Sequence, residues 1–503
     1  MAALVVSLIP ESRAEALQDV QRARRAGADA VELRVDRFGS AEEVLQLVRD
    51  CPPPLIVSCR VEEDGGQFRG DPELRRELLL AAVRGGATFV DIEEWESLGL
   101  PPETRSRLIR SYHRLQEAPR ELEKIAQRMA RSEPDILKFV TAGYDAADLE
   151  VAQRLYRLEL EQPLVAFATG RAARATRYLA ALNGAPFVYC ALEPGRETAP
   201  GQPLLWEAEH LYRARELNER SSFWGLLGSP VDHSLGFQLH NGLARNLEDA
   251  PVYLPFESKQ PERLIDALKH FDRRWLGLSV TAPHKTRVAS LCDELGADAE
   301  ASGAVNTIVH REGHLLGLNT DVEGVRRALG RAYDSGKLPI GKRALVFGSG
   351  GAARAAVLAL AKSKANVAIA ARSRRGIASF AEQQGARILP IDKALEVQQP
   401  EVIVHATPVG QEGRESLLET RDIPAHAVVL DCVYRPTETE LLRRAKEAGA
   451  TPVSGLWMFV FQAQLQQACV IGRAESLPGV RDLLSLLGPE ARALRASLRG
   501  GRG

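Results

Sequence analysis

The chain is poor in the features that mark extracellular, membrane or nucleic-acid-binding proteins. Its six cysteines, Cys51, Cys59, Cys190, Cys292, Cys432 and Cys469, are scattered without the paired spacing of a metal site, and most lie inside apolar runs. They read as reduced core thiols of a cytoplasmic protein, with no disulfide framework and no metal expected. No apolar stretch approaches the ~20 residues a membrane span needs. The opening "MAALVVSLIPESRAEALQ" carries no basic leader, no hydrophobic signal region and no cleavage site. Aromatics are 6% of the residues, no long basic run occurs, and 65 Lys+Arg face 66 Asp+Glu. This balance argues against a nucleic acid or a membrane surface as partner and leaves small molecules as the default. At 503 residues the chain exceeds one ordinary core, so about two to four domains are expected.

What is present is alternation. Over residues 1–217 short apolar runs alternate with amphipathic helical patterns, and eight runs read as strands: "ALVVSLI" (3–9), "AVELRVD" (30–36), "LIVSCR" (55–60), "TFVDIE" (88–93), "LIRSYH" (108–113), "ILKFV" (136–140), "LVAFAT" (164–169) and "FVYCAL" (187–192). Eight βα units in about 215 residues fit a TIM (β/α)8 barrel near the small end of its size range. The fourth connection, "WESLGLPPETRS", is short for a full helix, so that unit is expected to be degenerate. The polar stretch "ELNERSS" (216–222) marks a boundary, and a mixed α/β region follows over 223–327. At "KRALVFGSGGAARAAVLALA" (342–361) a strand meets a glycine-rich turn and an alanine-rich helix, the core of a further α/β unit over 328–455. Helices over 456–490 are expected to pack back on the preceding region, and the tail "ASLRGGRG" is expected to fray.

In a TIM barrel the active site lies at the C-terminal ends of the strands. Here those ends carry Glu32 and Arg34, Ser58 and Arg60, Asp91 and Glu93, His113, and Lys138, the one lysine in the apolar run "DILKFVTAG". A lone strand lysine most often packs its stem and sends its head to water. Five consecutive strands ending in ionisable groups favour a second reading, in which a dry pocket and basic neighbours lower the lysine pKa until the amine can form an imine. The protonated imine acidifies the adjacent C–H, and His113 on the preceding strand is the natural base. Read this way, the site belongs to a Schiff-base lyase or an aldolase acting on an anionic carbonyl compound.

The series "ELRVD", "SYH", "LKFV" and "ATRYLAALNG…TAPGQP" resembles type I 3-dehydroquinate dehydratase over nearly all of residues 1–215. The resemblance implies that Lys138 forms the imine with the substrate ketone and that His113 removes the neighbouring proton and helps expel a hydroxyl as water. It implies that Glu32, Arg34, Arg60, Arg177, Thr198 and Gln202 bind substrate, Arg177 taking the carboxylate. Asp64, Thr176 and Thr198 depart from the family's usual glutamate and serines while keeping carboxylate or hydroxyl.

The turn "VFGSGGAAR" (346–354) fits the six-residue dinucleotide fingerprint, ending at Ala353 in place of glycine. Its contacts are expected from Gly348, Ser349, Gly350, Gly351 and Ala352. The second strand, "NVAIAARSRR", brings Arg372, Ser373 and Arg374 to the position that reads the adenine ribose; arginine there suits a 2′-phosphate, so NADP is the expected cofactor. Lys285 and Asp321, in "LSVTAPHKTRV" and "GLNTD", could donate a proton as a ketone is reduced, and a surface salt bridge fits them equally well. These segments, with "GSPVDHSLG", "SGAVNTI", "HATPVG", "DCVYRP" and "GLWMFVFQA", resemble shikimate dehydrogenase across about 223–490. The resemblance implies Lys285 and Asp321 as the catalytic pair, Ser234, Thr281, Asn306, Tyr434 and Gln462 around the substrate, and Thr407 and Gly455 at the cofactor. The family's serine at position 236 is Gly236 here, and Ser279 replaces a usual asparagine; the lost hydroxyl should open space near ring carbon 1 and let quinate serve as a second substrate.

The expected architecture is therefore α/β throughout: a TIM barrel, a shikimate-dehydrogenase-like substrate domain, and a Rossmann NADP-binding domain. The two resemblances imply consecutive reactions, 3-dehydroquinate to 3-dehydroshikimate and then to shikimate. A quinate- or shikimate-oxidising enzyme and a non-catalytic metabolite sensor are the alternatives; a sensor would be expected to have lost Lys138, His113, Lys285 or Asp321, and all four are present.

Overall fold

The computed structural model describes residues 1–100, 103–116, 121–245, 247, 250–411, 413, 415–472 and 479–492. The tail expected to fray lies outside these residues. The chain divides into two compact units, one formed by Met1–Ser222 with Leu254–His270, the other by Phe223–Tyr253 with the chain from Phe271 onward.

In the first unit all eight expected strands form: β1 (Ala3–Leu8), β2 (Ala30–Arg34), β3 (Leu55–Ser58), β4 (Phe89–Glu93), β5 (Arg107–Arg114), β6 (Ile136–Ala142), β7 (Leu164–Thr169) and β8 (Phe187–Cys190). They pair in the order β7-β6-β5-β4-β3-β2-β1-β8, each neighbouring pair parallel, which makes a nearly closed TIM barrel. The helices between strands begin where the sequence supplies caps. Ser12 and Ser40 accept from Glu15 N and Glu43 N, and Asp71 accepts from Glu73 N ahead of Pro72 in the first turn. Among the described residues no helix lies between β4 and β5, as the short connection indicated.

The barrel interior is layered by the two-residue period of a strand. Val5, Ala30, Ile56, Phe89, Ile109, Ile136, Val165 and Phe187 belong to one buried apolar cluster. Two residues further along the same strands stand Ser7, Glu32, Ser58, Asp91, Ser111, Lys138, Phe167 and Tyr189. Two further still come Arg34, Arg60, Glu93 and His113. An apolar floor thus carries a polar layer toward the C-terminal ends of the strands.

In the rest of the chain one sheet runs β10-β9-β11-β13-β14-β12, formed by β9 (Phe223–Gly228), β10 (Val252–Glu257), β11 (Trp275–Val280), β12 (Glu294–Leu295), β13 (Thr307–Arg311) and β14 (His314–Leu318). β11 pairs parallel to β9 and antiparallel to β13. The other sheet is wholly parallel, with β15 (Arg343–Phe347), β16 (Asn366–Ala370), β17 (Arg387–Leu389), β18 (Val402–His405), β19 (Val428–Asp431) and β20 (Thr451–Ser454) ordered β17-β16-β15-β18-β19-β20. That is the doubly wound Rossmann order, whose ligand crevice opens where the order reverses, between β15 and β18. All six cysteines are free thiols. No described helix is long and apolar enough to cross a membrane.

Candidate active sites

Lys138, 4% exposed, projects from the middle of β6 into the polar layer. Its Nζ donates to Asp91 Oδ2 at 2.8 Å and lies 3.5 Å from Glu32 Oε1 and 4.3 Å from the centroid of the Tyr189 ring. Each carboxylate is held by a hydroxyl from an adjacent strand: Ser7 Oγ donates to Glu32 Oε2 at 2.6 Å, and Ser111 Oγ to Asp91 Oδ1 at 2.6 Å. Arg60 bridges Asp91 at 3.2 Å and Glu93, and stands 2.7 Å from His113 Nδ1, which Glu93 Oε2 approaches at 3.4 Å. His113 Nε2 has no hydrogen bond among the described contacts.

This geometry corrects the expected titration of Lys138. Burial does oppose its charge, but Asp91 and Glu32 outweigh both burial and Arg60, and its pKa is raised above the ordinary lysine value. The free chain therefore holds an ammonium here. Burial would also raise Asp91 and Glu32; Lys138, with Arg60 for Asp91 and with Arg34 and Arg60 for Glu32, brings both below their ordinary values. His113 is pushed well below its usual value by burial and by the cations Arg60 and Lys138, so it stands as a neutral imidazole.

Glu32, Arg60, Lys138 and His113 are thus joined in one network. Arg34 forms a separate pair with Asp36, Nε to Oδ1 at 3.1 Å, and does not bond Glu32. Thr198 and Gln202 bond each other, Thr198 N–H donating to Gln202 Oε1 at 2.7 Å. Arg177 is 3% exposed, its guanidinium 4.3 Å from the Phe167 ring centroid, with Nε and one terminal nitrogen buried and unpartnered. Burial lowers its pKa to about 10. A guanidinium so placed is fitted for an incoming carboxylate. Ser7, Asp91, Glu93, Ser111 and Tyr189 complete the site. Asp91 and Glu93 were visible as strand ends; the others carried only a two-residue offset from an apolar position.

In the second unit Lys285 Nζ donates to Asp321 Oδ2 at 2.5 Å. Asn306 Nδ2 donates to Asp321 Oδ1 at 3.0 Å, to Thr320 Oγ1 at 2.9 Å and to Gln462 Oε1 at 3.3 Å. Gln466 supports the same group, its Oε1 accepting from Ser279 Oγ at 2.9 Å and its Nε2 donating to Asn306 O at 2.8 Å. Lys285, Asp321, Asn306 and Gln462 are therefore one cluster. Burial raises the Tyr434 pKa, opposed by a hydrogen bond with Ser234, so these two residues form a second group. Thr281 shows only backbone bonding, its N–H donating to Leu227 O at 2.9 Å. The space expected at Gly236 is nearly filled, since a Cβ there would lie 3.0 Å from Ser234 Oγ and 3.3 Å from the Tyr253 ring.

The glycine-rich turn fits a dinucleotide. Gly348 has φ +125° and packs on the Ala406 carbonyl, so a side chain is excluded there. A Cβ at Gly350 would meet nothing within 4 Å, and no side chain caps the helix Gly351–Lys362 that it opens, leaving the first N–H groups for an anion. Ser349 and Ala352 belong to the same turn. Gly351 sits against Lys285, its notional Cβ 2.7 Å from Lys285 Cβ, which brings the Lys285–Asp321 pair beside the turn. Beyond β16, Arg372, Ser373 and Arg374 are exposed; Arg374 donates to Ile388 O at 3.2 Å, and Arg372 has no partner among the described contacts. Thr407 lies just past β18 at the crevice. At Gly455 packing excludes a side chain, because a Cβ would fall 2.3 Å from Asp431 O. Among the described residues no cluster of His, Cys, Asp and Glu is placed to hold a metal.

Residues 4–219 match the Type I 3-dehydroquinase family and residues 226–308 the shikimate dehydrogenase substrate binding domain. A shikimate dehydrogenase (NADP(+)) of Methanopyrus kandleri is 40% identical over 257 residues, covering 48% of this chain and 87% of its own. A solved shikimate 5-dehydrogenase of Thermus thermophilus, in complex with NADP(H) and shikimate, is 32% identical, covers 54% of this chain and 99% of its own, and gives a TM-score of 0.47. The chloroplastic bifunctional 3-dehydroquinate dehydratase/shikimate dehydrogenase of Arabidopsis thaliana is 30% identical over 495 residues, covering 92% of this chain and 80% of its own. With both halves matched by one relative in one order, the chain belongs to the bifunctional 3-dehydroquinate dehydratase/shikimate dehydrogenase family.

Proposed function

We infer that this chain dehydrates 3-dehydroquinate to 3-dehydroshikimate and then reduces that product to shikimate with NADPH. The observation that carries the reading is the pair of lysine sites. One lysine is buried beside a neutral histidine at the C-terminal ends of barrel strands; the other is paired with a carboxylate beside a dinucleotide turn. We assign residues 1–217 to the dehydratase, 223–327 to the reductase substrate, 328–455 to the cofactor and 456–490 to helices of the reductase half. Its partners on this reading are small molecules, and its proposed compartment is the cytoplasm.

In the first reaction Arg177 binds the substrate carboxylate, and Arg34, Glu32, Thr198 and Gln202 hold the ring hydroxyls. Lys138 gives up a proton, and its amine adds to the ketone; the carbinolamine loses water to form the imine. His113 then takes the proton from the adjacent carbon and returns it to the departing hydroxyl, which leaves as water. Hydrolysis of the imine releases 3-dehydroshikimate and restores Lys138. In the second reaction Ser234 and Tyr434 bind the carboxylate end of the ring, while Thr281, Asn306 and Gln462 position its polar groups. Bound at the glycine turn, with Arg372 and Arg374 at its 2′-phosphate, NADPH would supply the two electrons of the reduction. Lys285 gives its proton to the ketone oxygen, and Asp321, fixed by Asn306, orients the ammonium.

The test is NADPH oxidation by the purified chain, followed after addition of 3-dehydroquinate and, separately, of 3-dehydroshikimate. Oxidation is expected with both. Turnover of 3-dehydroshikimate alone would remove the dehydratase half of the reading, and turnover of neither would remove both.

A further inference from the structure

A buried histidine–carboxylate pair closes the C-terminal ends of two neighbouring strands in the parallel sheet, and neither reaction described above uses it. His405 and Asp431 end β18 and β19, stand opposite each other in register, and are 2% and 1% exposed. Asp431 Oδ1 is 2.8 Å from His405 Nδ1 and accepts Val433 N–H at 3.0 Å, while Oδ2 accepts the Thr439 hydroxyl at 2.5 Å. The other ring nitrogen, Nε2, is 2.5 Å from Thr407 Oγ1. Every buried polar atom in this chain of contacts has a partner, at the end of the sheet that borders the crevice.

We propose that His405 is a positioning residue for the cofactor, fixing the Thr407 hydroxyl so that it presents an acceptor lone pair to a hydroxyl or amide N–H of the bound dinucleotide. The polarity follows from the donors. A carboxylate that already accepts from Val433 and Thr439 can only accept from the imidazole, so in the neutral ring Nδ1 carries the hydrogen. Nε2 then accepts, and the Thr407 hydroxyl must donate inward to it. Of the lone pairs left on Oγ1, one faces the Val409 N–H at 3.4 Å, a long contact. The remaining capacity is acceptor capacity, directed from a half-buried residue that follows Ala406, whose carbonyl packs against Gly348 of the dinucleotide turn. Without His405 the hydroxyl would rotate freely and offer donor and acceptor alike. The buried pair thus converts an ambidextrous hydroxyl into one with a fixed polarity, matched to donors such as a ribose hydroxyl or a carboxamide.

The inference rests on the reading of the turn as an NADPH site, and its test separates the two. NADPH dissociation constants are measured on the full chain by quenching of tryptophan fluorescence, with NADH in parallel and the melting temperature recorded for each variant. Thr407→Val and His405→Phe are each expected to weaken NADPH about 5- to 10-fold, the scale of one hydrogen bond. The double variant should be no weaker than the poorer single by more than about 2-fold, because the two residues act as one unit. His405→Gln, whose amide can donate to Asp431 while its carbonyl accepts from Thr407, should stay within about 2-fold of the parent. Losses that multiply in the double variant, or parental affinity in His405→Phe, would overturn the positioning role. If His405→Phe does not fold, parental affinity in Thr407→Val overturns it alone. A parent chain that binds neither dinucleotide overturns the cofactor reading, and this inference with it.

Discussion

The two units each build a site around one lysine, and the environments differ in a way the two chemistries would not suggest. In the proposed mechanism Lys138 must lose its charge to attack a carbonyl, yet it lies between Asp91 and Glu32, which hold it as an ammonium. Lys285, in the same proposal, must keep a proton to give away, and it is less buried and has one carboxylate, Asp321, at 2.5 Å. At Lys138 the facing carboxylates outweigh burial and keep the amine charged. In the barrel the ammonium is a resting state from which the amine has to be drawn. Paired carboxylates fix the position of Nζ to within a hydrogen bond, and that precision is obtained at the expense of a readily available lone pair.

Removing each lysine is the strongest way to test that the sites are separate. Lys138→Ala is expected to lower dehydratase kcat by about 10⁴-fold or more, as loss of a covalent nucleophile does, and to leave 3-dehydroshikimate reduction unchanged. Borohydride trapping followed by mass spectrometry should find substrate attached to the parent chain and not to this variant. Lys285→Met should do the reverse, lowering reductase kcat about 10²- to 10⁴-fold with dehydratase turnover intact, the range for a proton donor. Either variant that silences both reactions would break the comparison.

A smaller effect sharpens it. Because Asp91 raises the Lys138 pKa, the reactive amine becomes more abundant as pH climbs, and dehydratase kcat/KM is expected to rise through the alkaline range. Asp91→Asn removes the larger of the two carboxylate effects, lowers the lysine pKa and should move that limb toward neutral pH, whatever it does to the plateau. A limb that stays in place would assign it to another group. The reductase profile, which owes nothing to Asp91, is the internal control.

The barrel was legible because its strands are short apolar runs separated by helical patterns, and because an ionisable residue in such a run has few places to point. The eight runs became eight strands, and Glu32, Arg60, His113 and Lys138 converged as their positions implied. The direction of the Lys138 pKa shift was not legible. It depends on which groups lie within hydrogen-bonding distance of Nζ, and adjacent strands bring both Arg60 and two carboxylates to the same level. The surroundings of Gly236 were hidden for a similar reason: the sequence showed a missing hydroxyl but not the Tyr253 ring beside it. His405 stands within "HATPVG" without a signal of its own, since its partner Asp431 is 26 residues away and only register joins them. That Gly455 packs on the Asp431 carbonyl was likewise hidden, since only the fold brings the two together.

Arg177 has a consequence for folding as well as for recognition. A guanidinium carried among apolar side chains with two nitrogens unpartnered is a source of local frustration. Folding alone does not resolve it; a carboxylate ligand would. On the proposed assignment, an anionic ring bound in the barrel would complete the native ensemble and add to the cooperativity of the fold much as a missing core residue would.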